Sequence, residues 1–321
     1  MAKHNKFQFG RKSKLFRFFD WFDIYAMTLN KWADSDLEIE RVSFEKSNGD
    51  PMPFRVQISY YSELIKSRIY GYGESLRELH AYEKAICELI EREALFTKGE
   101  EYGLFSTNGL ACHRWERLAK NSAKIELLER DAFLRHWLTM TPLTIVDDWE
   151  DDLILKFKGS VESFGHKLVL AETSLGYIKT SIAVVINPLT NGFLIGSSAT
   201  SSKQERMRKA VGEAYLSLFN RQGDNIDWKV PNFDNHANFW YYRRSMPQWF
   251  LGKENNVTFV TKKLPKPSIH FHTLVSEPVS VVAAKSEELF ELWLGDPEKD
   301  VLEKIERQYG LRANTEPHPF P

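Results

Sequence analysis

Two cysteines, Cys87 and Cys112, are all that this 321-residue sequence contains. They lack metal-site spacing, which argues against a disulfide scaffold and reads as reduced thiols in a cytoplasmic protein. Long apolar runs are missing, so no membrane span is expected. The opening stretch, MAKHNKFQFGRKSKLFRFFDWF, is basic and aromatic but lacks the apolar core of a secretory signal. Neither sign of charge prevails: 43 Lys and Arg stand against 44 Asp and Glu. That balance argues against a nucleic-acid or membrane-surface protein. There is no low-complexity linker, and no GxxxxGK(S/T), which argues against a P-loop.

Apolar residues at 42% and charged residues at 27% are what a folded chain with a real core requires. The expectation is a single α/β domain over 1–321, mixed sheets packed by several long helices. Residues 1–50 would form a basic, aromatic N-terminal arm, and 310–321 a Pro-rich tail. PFRVQISYY reads as a strand, followed by a Gly-punctuated turn, GYGES, and a helix from Ser75 to about Phe96. A loop, TKGEEYGLFSTNGLA, leads to a second helix from about Arg114 to Trp137, stopped by Pro142. LTIV, KLVLAET, TSIAVVINP and FLIGSSA read as strands, with a hairpin turn at NPLTNG. A third helix runs from about Ser202 to Phe219. NHANFWYYRR is irregular, VSVVAAKS is a strand, and a last helix spans about Pro297 to Tyr309.

One pattern occurs twice. ELIEREALF begins at Glu88 and ELLERDAFL at Glu126, each late in a long helix. One copy is ordinary helix text, since Glu, Leu and Arg favour helices and pair at helical spacing. Two copies invite a chemical reading. Within each, the glutamates lie three apart and share a face. If the helices pack together, Glu88, Glu91, Glu126 and Glu129 converge, and such carboxylates repel unless a cation joins them. Mg²⁺, hard and oxygen-seeking, suits them and keeps coordination positions for phosphate oxygens. Arg92 and Arg130 add planar forks for phosphate. Ser122, one turn before Glu126, could reach metal or phosphate. His270 and His272 alternate on a strand, but a pair falls short of the three or four ligands of a zinc site. His236 is as well explained by a structural role as by a catalytic one.

These residues resemble the YcaO family. The resemblance rests on Asn108, Gly109, Ser122, Glu126, Glu129, Arg130, Asp131 and Trp137. The earlier set Gly71, Gly73, Glu88, Glu91 and Arg92 joins them, with Glu213 in the third helix, Asn235–His236, and ELFELWLGD near the end. It implies a YcaO-type fold with an ATP site lined by helix side chains. Glu88, Glu91, Glu126 and Glu129 would hold Mg²⁺, and Ser122, Arg92, Arg130, Asn108 and Glu213 would bind ATP. The implied activity is an ATP-dependent cyclodehydratase that phosphorylates a backbone amide oxygen, closing Cys, Ser or Thr of a ribosomally made precursor peptide into azolines.

The sequence ends PHPFP. Proline holds φ and favours polyproline II, and a stiff tail loses less entropy on docking. In the azoline-forming branch such a tail reaches the active site, so Pro317, Pro319 and Pro321 are assigned to catalysis, with the terminal carboxylate managing protons. Three positions depart from the family: Leu216 where glutamine is frequent, Lys84 where a small residue is common, and Tyr72 where a basic residue is frequent. Thioamide- or amidine-forming relatives, and a scaffold that has lost catalysis, are the alternatives. The resemblance implies partners too. These are the precursor peptide and a separate leader-binding protein like ubiquitin-activating enzymes, in an oligomeric complex with room for a flavin-dependent azoline dehydrogenase.

Overall fold

The computed structural model describes residues 2–8, 36–44, 54–147, 149–200, 202–219, 239–252, 266–293 and 295–319. Among them the strands are β1 Ala2–Gln8, β2 Glu38–Phe44, β3 Phe54–Ser62, β4 Ser67–Ser75, β5 Leu110–His113, β6 Thr144–Ile145, β7 Lys167–Glu172, β8 Ser181–Ile186, β9 Phe193–Ser198, β10 His270–Val275 and β11 Ser280–Lys285. The α-helices are α1 Glu78–Lys98, α2 Glu116–Thr139, α3 Asp152–Ser163, α4 Lys203–Phe219 and α5 Lys299–Tyr309. No described helix is long and apolar enough to cross a membrane. The chain groups into two compact units, Met1–Glu126 with Ile269–Ser286, and Leu127–Ser268 with Glu287–Pro321.

In the first unit β1-β2-β3-β4 form an antiparallel sheet, and β10-β11-β5 a smaller one. The N-terminal stretch expected as an arm thus contributes β1, paired with β2 from Ala2↔Phe44 to Gln8↔Glu38. Helix α1 buries Ala81, Tyr82, Ala85, Ile86, Leu89, Ile90 and Ala94, neighbours one turn apart. They pack on Val56, Ile58 and Ile69 of the large sheet and on Leu110, Leu274, Val281 and Ala283 of the small one.

GYGES is not a turn: Gly71 and Gly73 lie inside β4. A Cβ on Gly71 would stand 2.1 Å from Ala85 O, and one on Gly73 1.8 Å from Ala81 O. The glycines let the helix backbone lie directly on the strand. The loop before α2 also hides β5, whose residues Leu110, Ala111 and Cys112 are buried on both faces, so no alternation betrays it.

In the second unit β6-β7-β8-β9 form an antiparallel sheet. Every residue of β8 and β9 is buried, which explains their unbroken apolar text. One face carries Ile182, Val184, Phe193 and Ile195 against Phe133, Leu134, Trp137 and Leu138 of α2. The other lies under α4, where a Cβ on Gly196 would meet Ala210 O at 2.3 Å. Helix α3 has no counterpart in the expected elements. Its signal is Asp151, which caps it by accepting from Leu153 N and Ile154 N at 3.1 Å. Of the irregular aromatic segment, Phe239–Arg243 is a short π-helix, and Asn235–His236 lie outside the described residues.

Candidate active site

The glutamates singled out above stand in the middle of their helices, because α1 and α2 run on to Lys98 and Thr139. In the first unit Glu88 accepts from Tyr72 N of β4 at 2.6 Å, and Glu91 from Cys112 N of β5 at 2.5 Å. In the second, Glu213 accepts from Ser197 N of β9 at 2.8 Å. Glu129 accepts from Ser197 Oγ and from the Ala199 backbone N–H. One device holds Glu88, Glu91 and Glu213: a helix lies on strands, and a strand N–H fixes the carboxylate end; Glu129 is held by the Ser197 hydroxyl and by the N–H of Ala199, just past β9. Each tether leaves lone pairs on the carboxylate for a cation.

Burial opposes charge on these groups. It raises the Glu88 pKa against the pull of Arg92. Glu91 is pushed well above the ordinary carboxylate value by burial, then by Cys87 and Glu126. Burial raises Glu129 as well, against its bonds to Ser197 and its attraction to Arg130. Carboxylates held in this state gain from a cation that replaces lost solvation. Among the described residues no three His, Cys, Asp or Glu side chains gather to hold an ion by themselves. Mg²⁺ fits that supply, since it is usually bound by one or two carboxylates and completes its octahedron with phosphate oxygens and water.

The other assigned residues fall as follows. Arg92 gives Nη2 to Glu88 at 2.6 Å and Nη1 to Tyr70 O at 2.9 Å, and lies over the Tyr72 ring. Arg130 attracts Glu129 within the second unit. Ser122 is exposed on α2, one turn before Glu126. Asn108 sits in a turn closed by Leu110 N to Thr107 O at 3.0 Å, with Gly109 at φ 71°. Only 6% of Asn108 is exposed, yet neither carboxamide atom has a partner among the described residues. A buried amide with both ends unsatisfied calls for a polar ligand, and a nucleotide offers the donors and acceptors it lacks.

Pro317 and Pro319 belong to a docked tail, and Pro321 lies outside the described residues. Trp137 Nε1 donates to Glu316 O at 3.0 Å, and Trp240 Nε1 to Pro317 O at 3.1 Å. His318, 2% exposed, donates from Nε2 to Trp293 O at 2.8 Å, because a carbonyl can only accept. Asn314 closes the end of α2, giving its N–H to Leu138 O at 2.8 Å and Nδ2 to Trp137 O at 3.2 Å. Prolines offer no N–H, so indole donors on the intervening carbonyls are the complementary grip.

Two further features noted in the sequence lie outside this set. Asp131 is fully buried in an ion pair with Arg135 at 2.7 Å and accepts from Phe290 N. Arg135 in turn reaches Gln308 and Tyr309 at the end of α5. The His270 and His272 strand joins no metal cluster among the described residues, and His272 packs on Tyr102.

A family model described as YcaO cyclodehydratase, ATP- and Mg²⁺-binding, matches residues 95–263, more than half of the chain. The chain belongs to the YcaO family. No curated protein matches this YcaO sequence. Among solved structures, a heterocyclase in complex with substrate and cofactor superposes with a TM-score of 0.62 at 10% identity. The alignment covers 92% of this chain and 57% of that one, so the chain spans little over half of that heterocyclase. YcaO from Methanopyrus kandleri, bound with AMPPCP and Mg²⁺, gives 0.55 at 13% identity over 87% and 91% of the two chains. A chain of the Escherichia coli microcin synthetase McbBCD complex gives 0.53 at 14% identity over 78% and 88%. At these identities the likeness is one of fold: the described chain has the YcaO architecture, mixed sheets packed by long helices.

Sequence reasoning passed over Ser197 and the backbone donors Tyr72, Cys112 and Ala199. Backbone donors carry no residue signature; the only trace was glycine at 71, 73 and 196, where a helix must approach a strand.

Proposed function

We propose that this chain is an ATP- and Mg²⁺-dependent cyclodehydratase that forms thiazoline or oxazoline rings in a ribosomally made peptide. The observation that carries the reading is the tethered set of half-buried glutamates, supported by the family's stated ATP and Mg²⁺ binding. Glu88, Glu91 and Glu126 in the first unit, and Glu129 and Glu213 in the second, would each lend Mg²⁺ one or two carboxylates at a time, and through Mg²⁺ hold the nucleotide. Bound Mg²⁺ would neutralise phosphate charge and polarise the phosphoryl group for transfer. Arg92 and Arg130 supply positive charge, Asn108 a carboxamide, and Ser122 a hydroxyl on the same helix face as Glu126.

In the reaction a Cys, Ser or Thr side chain adds to the preceding carbonyl carbon and loses its proton. The amide oxygen takes the γ-phosphoryl group of ATP, then leaves as phosphate as the amide nitrogen loses its proton and C=N forms. The products are the azoline, ADP and phosphate. The Pro317–Pro321 tail assists the proton transfers. The microcin synthetase complex and the substrate-bound heterocyclase support a peptide substrate and action within a complex. A leader-binding partner would present the peptide.

The test is calorimetric titration of ATP into the purified chain with and without Mg²⁺, beside Glu126→Gln and Glu129→Gln. Binding that needs Mg²⁺ and fails in both variants is expected. Binding by the wild type that ignores Mg²⁺, or variants that bind as the wild type does, would overturn the assignment. Deleting Pro317–Pro321 is expected to leave ATP binding intact and to cripple cyclisation once partner and peptide are supplied.

A further inference from the structure

The strand-to-glutamate tether is built twice on one register. In the first unit Gly71 faces Ala85, and the N–H of the next residue, Tyr72, donates to Glu88, sixteen residues on. In the second Gly196 faces Ala210, and the N–H of the next residue, Ser197, donates to Glu213, again sixteen residues on. Ala85 and Ala210 each precede their glutamate by three positions. The copies part three residues later, where the first helix carries Glu91 and the second Leu216.

Leucine offers no ligand, so α4 lacks the second carboxylate that α1 has. The second unit draws it instead from α2, as Glu129, and the link is Ser197, whose hydroxyl donates to Glu129 Oε1. Tyr72, the matching residue in the first copy, has a side chain that is 42% exposed, and its unit needs no such link because Glu88 and Glu91 ride one helix. Ser197 is 6% exposed in a strand buried on both faces, and both of its donors are directed at carboxylates. With one proton on Oγ and one on N, it ties one oxygen of each of two like-charged groups, which would otherwise repel.

We propose that Ser197 is a positioning residue that joins Glu129 to Glu213 as the second unit's carboxylate pair, so that Glu129 supplies the carboxylate that Leu216, at the place matching Glu91, cannot. The inference rests on the reading of these carboxylates as Mg²⁺–ATP ligands. The experiment titrates Mg²⁺ at fixed ATP and reads nucleotide binding by calorimetry on the full chain. Ser197→Ala keeps the N–H and loses the hydroxyl, and is expected to raise the Mg²⁺ midpoint about ten-fold, the scale of one hydrogen bond to a charged group. Ser197→Thr, which keeps the donor, should stay near the wild type. Ser197→Cys, a similar shape with a weak donor, should follow Ala and serves if Ala packs badly. In a Glu129→Gln background, where ATP binding is lost and no midpoint can be read, Ser197→Ala should change the melting temperature less than it does in the wild type, because the two act through one contact.

A folded Ser197→Ala chain with the wild-type midpoint and melting temperature would overturn the inference alone. So would a melting-temperature change that persists in full in the Glu129→Gln background. A wild type that binds no ATP with Mg²⁺ would overturn the functional reading and this inference with it.

Discussion

Glu91, proposed above as a Mg²⁺ ligand, shows at the scale of one residue what its surroundings do to a carboxyl. Burial and the neighbouring Cys87 and Glu126 push its carboxyl toward the neutral form. Glu91→Gln removes that charge and still accepts from Cys112 N. It is therefore expected to raise the melting temperature of the chain without Mg²⁺ while weakening Mg²⁺-dependent ATP binding. Calorimetric scans with and without Mg²⁺ check this, and a lower melting temperature in both would count against it. His136 works the other way. Its Nε2 accepts from Ser174 N and Leu175 N, and its Nδ1–H donates to Thr141 O. Burial brings its pKa from 6.5 down to about 4. The unfolded chain takes the proton first, so the His136 contribution is complete above pH 6.5 and is lost as pH falls toward 4. It amounts to about 3 kcal/mol. The raised carboxylates drift in the opposite sense, so the check is the difference in denaturation free energy between wild type and His136→Asn across that window. A difference that does not change with pH would refute it.

At the scale of elements, two close approaches shape the site. Helix α1 lies so near β4 that a Cβ at position 71 would stand 2.1 Å from a backbone oxygen, far inside van der Waals contact. Gly71→Ala must separate helix and strand. It is expected to cost about 3 kcal/mol or more and to pull Tyr72 N away from Glu88, lowering stability and ATP binding together. Ala at Gly159, which meets nothing within 4 Å, should do neither. The tail is the second case. Its carbonyls take the indole protons of Trp137 and Trp240, and α2 carries Trp137 two turns beyond Glu129. Ending the chain at Ala313 should speed hydrogen exchange of both indoles, read by NMR, by more than ten-fold. Unchanged exchange would show that the tail is not what protects them.

At the scale of the whole molecule, ligand and stability are linked. Anything that binds the folded chain alone raises its stability, by about 2.7 kcal/mol at a hundred times the dissociation constant. ATP with Mg²⁺ should therefore raise the melting temperature, and ATP with EDTA should not. Equal shifts under both conditions would exclude a metal-bridged nucleotide. Stability in this chain rests on two cores, one around α1 and one around Trp137, each dense in fully buried side chains.

The sequence by itself determined most of the elements, since helices α1, α2, α4 and α5 and strands β3, β7, β8, β9 and β11 follow from periodicity and apolar runs. It also marked the glutamates, because E-L-x-E-R written twice is visible without coordinates. It misread GYGES, since glycine in a strand and glycine in a turn look alike until a helix is seen lying on the strand. It missed α3, announced only by a capping Asp151, and β5, four residues buried on both faces. What only the tertiary structure decided is how the carboxylates are held. Backbone N–H groups have no residue identity, so the tethers from Tyr72, Cys112, Ser197 and Ala199 exist only once strands and helices are stacked. The same holds for the indole grip on the tail, which joins residues far apart in the chain that only folding brings together.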